Sequence, residues 1–143
     1  MQASHPLPGG QSRRSSLPPA VIVRGAGDAR TVLALGRPVL LLSPPEAVRL
    51  LGPTWWVAMI AASREAGSSA LDALDCGALA GAAQEALALG AGGIVFSGDA
   101  RQAVALASIA ASRGALFLRS APRALDMGAY GAERRLPSWL ATR

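Results

Sequence analysis

The sequence predicts a single α/β domain of about five mostly parallel strands with flanking helices on both faces, an open three-layer sheet or a half-barrel-like one. Three observations predict it. Short β-branched or leucine runs alternate with Ala/Leu-rich amphipathic stretches between residues 20 and 120, which is the rhythm of βα units. The run Pro38-Val39-Leu40-Leu41-Leu42 has no polar alternation, as a strand covered on both sides requires. The 143 residues suit one domain with a self-sufficient core, and the lone Cys76 can form no disulfide within the chain.

Each element has its own local reason. Val21-Ile22-Val23 is the first strand; Asp28 then caps a helix over 29–35, closed by Gly36. After the second strand, Ser43-Pro44-Pro45-Glu46 reads as a helix entry with Ser43 as cap. Gly52-Pro53 breaks that helix, and a second one runs from Thr54 to Ala66, with a strand over Trp55–Ile60 as the alternative. The third strand lies within Ala70–Cys76 and precedes a helix over Leu79–Leu89 that Gly90 ends. Gly93–Ser97 is the fourth strand; Asp99 caps a helix reaching Arg113, and Ala115–Arg119 is the fifth strand.

Both ends differ from this domain. Residues 1–19 are rich in Ser, Pro and Gly and have little to bury, so they are expected to be disordered. Beyond Ser120 the periodicity is lost, which predicts an irregular tail over 121–143; Leu136–Leu140 could dock as a short apolar hook, and the sequence leaves open whether it does. An internal echo also appears: Ile22-Val23 before Gly27-Asp28-Ala29-Arg30, and Ile94-Val95 before Gly98-Asp99-Ala100-Arg101.

Charge narrows the function classes. The formal charge is +5 and every one of the 14 cations is arginine. Residues 20–120 contain eight arginines against seven acids, so the basicity belongs to the ends. No basic face interleaved with stacking aromatics is present, which disfavours nucleic acid. No apolar run approaches the ~20 residues of a membrane span, and residues 1–19 lack the apolar stretch of an export signal. A cytoplasmic protein is the expectation.

In parallel α/β sheets, sites lie where strands end and helices begin. Arg24 and Arg119 there, with Gly25, Gly27, Ser97 and Gly98, suggest an anion site. Equally, the two arginines could pair with Asp28, Asp75 or Asp99. Gly25-Ala26-Gly27 resembles part of a dinucleotide loop, but Arg30 and Ser43 stand where that motif needs a glycine and a ribose-binding acid. Asp75 and Cys76 are the candidate reactive groups. A thiolate nucleophile needs a base, and the only histidine, His5, lies in the N-terminal tail, so a buried, unreactive thiol is the expectation. One Cys and one His exclude a Cys/His metal site, and no cofactor motif is complete. Trp55 and Trp56 point about 100° apart on a helix, so one is assigned to the core and the other to a rim or docking surface.

Two resemblances enter on these residues. The order Leu41-Leu42-Ser43, Trp55-Trp56, Leu74-Asp75-Cys76-Gly77 and Ala124-Leu125-Asp126-Met127 resembles a group of short uncharacterised bacterial proteins, over about 20–127. That group implies no activity. Ala88-Leu89-Gly90-Ala91-Gly92-Gly93-Ile94-Val95 with Asp99 is similar to one βα step of phosphate-binding (β/α)8 barrels such as thiamine-phosphate synthases. It implies at most a half-barrel-like sheet, because 143 residues cannot form eight units.

Two functions follow as expectations. The first is a non-catalytic binding or protein-interaction module, self-associating through the Trp55 face or a sheet edge. The second is a small enzyme or sensor that binds an anionic, phosphorylated metabolite at the strand ends.

Overall fold

The computed structural model describes residues 17–45, 47–64, 68 and 70–142. Its elements are β1 (Ala20–Ile22), α1 (Ala26–Leu33), β2 (Leu40–Leu42), α2 (Ala47–Ser63), β3 (Leu71–Asp75), α3 (Ala80–Leu89), β4 (Gly93–Val95), α4 (Ala100–Ser112), β5 (Leu116–Leu118), β6 (Ala124–Asp126) and α5 (Ala132–Leu140). All strand pairs are parallel, in the order β5-β4-β3-β2-β1-β6. The α/β class and the parallel sheet agree with the sequence.

Alternation along each strand separates two apolar layers. Val21, Leu41, Leu74, Ile94 and Leu125 pack with Trp56, Leu87, Leu106 and Leu136 of the helices. Their strand neighbours Ala20, Leu40, Leu42, Ala73 and Val95 form a second cluster to which no helix contributes. Every helix among the described residues therefore lies on one face, which corrects the expectation of helices on both. The reason is the strand order: β1 to β5 advance in one direction, and right-handed crossovers then all fall on the same side.

The helix-free face is nonetheless dry, with Leu40 and Ala73 at 0% exposure. Chain length explains it. Leu118 and Ala124 are six residues apart, a reach of at most about 22 Å. In a flat sheet β5 and β6 would stand five strand spacings apart, and the register drops a further four residues, so the link would need about 27 Å. The sheet must curl, and its concave face fills with its own side chains. β5 and β6 do not pair, so the sheet stays open; of the two predicted arrangements it takes the half-barrel-like one.

Several local expectations change. Asp99 caps α4 as predicted, its Oδ2 accepting the Gln102 N–H at 3.0 Å. Asp28 is not a cap: the α1 cap is Gly25, and Asp28, in the first turn, reaches back to the Arg24 N–H at 2.9 Å. The echo is thus out of phase, and Ile22 and Ile94 belong to opposite layers. Ser43 bridges strands instead of capping, its Oγ accepting the Asp75 N–H at 2.8 Å. α2 is broken at Gly52 (φ 76°), where the chain needs a residue without Cβ, and Pro53 restarts it.

The predicted irregular tail over 121–143 holds β6 and α5, so the domain extends beyond residue 120. Ala132, Leu136 and Leu140 are buried one turn apart. The Trp139 indole N–H donates to the Ala20 carbonyl at 2.8 Å, and Arg123 lies over its ring, 5.4 Å from the centroid. The hook docks, as part of a helix. Residues 1–16 of the predicted disordered tail lie outside the described residues.

Candidate functional site

Parallel strands bring their carboxyl ends, and the helix starts that follow, to one rim. Arg24 leaves β1 there, and its guanidinium meets Asp126 at the end of β6 edge-on, Nε to Oδ1 at 3.0 Å and Nη2 to Oδ2 at 2.6 Å. The same Asp126 Oδ1 accepts the Gly128 N–H at 2.8 Å. This hydrogen bonding with Arg24, together with the Gly128 N–H, holds the Asp126 carboxyl below the usual carboxylate range against the opposing effect of burial. Arg24 is correspondingly raised, chiefly through its bond to Asp126.

Arg119 serves a different loop. It donates to the carbonyls of Phe96 and Gly98 at 3.0 and 2.9 Å, and its guanidinium lies 5.7 Å from the Phe96 ring centroid. It fastens the β4–α4 connection, whereas Arg24 fastens β1 to β6. Each arginine expected to hold an anion thus has partners within the chain. Gly25 and Gly27 have open space where a Cβ would stand, so no close approach demands them. Gly98 is demanded, since a Cβ would lie 2.6 Å from the Phe96 ring. Ser97 is exposed and uses its N–H on the Gly77 carbonyl at 2.8 Å.

Asp75 and Cys76 are adjacent, so their side chains leave the strand on opposite sides. Asp75 is buried and its Oδ1 accepts the Gly77 N–H at 3.0 Å, an Asx-type turn. Cys76 is buried in the helix-facing layer, and burial, with the charge of Asp75 adding to it, pushes its thiol up to about 12. Such a thiol holds almost no thiolate near neutrality. Trp56 is fully buried with Met59 and Ile60, while Trp55 is half-buried, ring centroids 5.8 Å apart.

The rim also carries a groove of about 570 Å³ between the first turns of α1 and the β6–α5 connection. Gly27, Asp28 and Thr31 form one wall; Met127, Tyr130 and Arg134 contribute to the other. Tyr130 is 95% exposed. Of these residues only Gly27 was a sequence candidate. Asp126 was missed because its partner lies 102 residues away and only β1–β6 pairing joins them. The chain's single tyrosine between Gly128 and Gly131 was the available signal for a built loop.

Among the described residues no group of three or more His, Cys, Asp or Glu could hold a metal ion. None of their helices is long and apolar enough to cross a membrane. No protein-family model matches the chain, and no curated protein matches it.

Proposed function

We propose that this domain is a non-catalytic binding module that takes a small polar ligand in the groove between α1 and the β6–α5 connection. The observation that carries the reading is the place and size of the groove. At about 570 Å³ it falls within the range of small-molecule sites, and it lies at the carboxyl ends of parallel strands, where curled βα sheets bind ligands. Its lining offers an aromatic face in Tyr130, a cation in Arg134 and acceptors in Asp28 and Glu133. The engagement of Arg24 and Arg119 within the chain weighs against an anion held between them.

Thermal melts with a panel of phosphorylated, carboxylated and amine metabolites test this. A ligand at 100 times its Kd adds about 2.7 kcal/mol and raises the midpoint; Tyr130→Ala and Arg134→Ala should abolish the rise while leaving the ligand-free midpoint in place. The absence of a rise with any compound overturns the reading. A self-association reading rests on Leu50 and Leu51, which are 83% and 54% exposed on the first part of α2. A mass that grows with concentration in light scattering, lost in Leu50→Ser/Leu51→Ser, would favour it instead.

A further inference from the structure

We propose that Arg24, Asp126 and Gly128 form a strap that fixes the spacing of the two groove walls, making them positioning residues for the site. The path is continuous. Asp28, in the α1 wall, accepts the Arg24 N–H at 2.9 Å. The Arg24 guanidinium grips both Asp126 oxygens, and Asp126 Oδ1 holds the Gly128 N–H at 2.8 Å at the start of the opposite wall. Glycine at 128 is required by the guanidinium lying across it, because a Cβ there would stand 2.6 Å from Arg24 Nε. Residues 128–131 lie in neither a strand nor a helix; the Met127 N–H to Ile22 carbonyl bond at 3.0 Å and the Ala129 N–H to Asp126 carbonyl bond at 2.9 Å hold the turn on the sheet, and the strap adds side-chain bonds that reach from it towards α1. A planar, two-pronged arginine–carboxylate pair suits the task, since it fixes orientation as well as distance.

The purpose of the strap rests on the groove reading, but its existence can be measured with no ligand. Nitroxide labels on Arg30→Cys and Ala129→Cys, both at exposed positions, report the wall-to-wall distance by pulsed electron resonance. Cys76 is buried and stays unlabelled in the native state. The intact strap gives one narrow distribution. Asp126→Asn and Gly128→Ala should each broaden it and shift its mean to longer distance, while Asp126→Glu, which keeps a carboxylate, should restore most of the narrowness. Asp99→Ala, which removes a helix cap elsewhere, should leave it unchanged. An unchanged distribution in both the Asn and the Ala variants overturns the strap, as does equal broadening in the Asp99 variant. If the strap is confirmed and no compound raises the midpoint, only the groove reading has failed.

Discussion

The indole N–H of Trp56, fully buried in α2, donates to Asp72 Oδ2 at 3.3 Å, so a tryptophan of the helix layer is anchored on a carboxylate of β3. Asp72 is itself 3% exposed. It also accepts the Gly92 N–H at 3.1 Å and Arg64 Nη2 at 2.8 Å, and Arg64 donates further to the Ala70 carbonyl. One carboxylate thereby ties α2, β3 and the turn into β4. It lies at the amino end of the strand, the side of such folds that serves stability.

Removing the acceptor deprives all three donors. Asp72→Ala should cost about 3 kcal/mol, because the buried Trp56 N–H loses its acceptor while Arg64, 30% exposed, keeps access to solvent, and urea unfolding at fixed slope measures it. Gly92→Ala should act through the same network, because its Cβ would meet Asp72 Oδ1 at 2.5 Å. Trp56→Phe loses only the N–H bond and some packing, and should cost less.

The Cys76 thiol supplies a prediction at high pH. The unfolded chain ionises it near 9.0, the folded chain only near 12. Stability from this group is full below the lower value and falls as pH rises through the window between them, by about 1.4 kcal/mol per pH unit. Cys76→Ala should flatten that slope. In the native protein at neutral pH, thiol reagents should label only as fast as the core opens.

The Arg24–Asp126 pair acts in the opposite range. Asp126 ionises below its unfolded value of about 3.9, so its contribution is present above that pH and is lost as pH falls through the folded value. The pair is partly exposed, at 51% and 33%, which limits it to about 0–1 kcal/mol. The Tm difference between the native chain and Asp126→Asn should shrink to nothing in acid.

The fate of the C-terminal residues shows how much was legible. Strands one to five and the helices between them were visible because each strand has its own apolar run and Gly36, Gly90 and Gly114 follow three of the helices. The face on which the helices lie was not, because local patterns carry no strand order. β6 and α5 were missed for another reason. Ala132, Leu136 and Leu140 have helical spacing, but Gly128, Gly131 and Pro137 mimic a loop, and a three-residue strand has no period to read. The site suffered most: Arg24 was a candidate, yet its partner becomes visible only once β6 pairs with β1.

Truncation after residue 120 should consequently unfold the domain instead of trimming a tail. It removes β6 from β1 and uncovers the layer that Leu125, Leu136 and Leu140 close, each at most 3% exposed. Circular dichroism of the truncated chain should show loss of the cooperative melt. Trp139→Phe, which forfeits one hydrogen bond to Ala20, should lower stability by about 1 kcal/mol.

The short link over 119–123 works as a bowstring does on a bow. Its contour length is too short for a flat sheet, so it puts an upper limit on the radius of the sheet and helps keep Leu40, Leu42 and Val95 together without a covering helix layer. Slackening the string with inserted glycines would let the limbs spread and wet that inner surface.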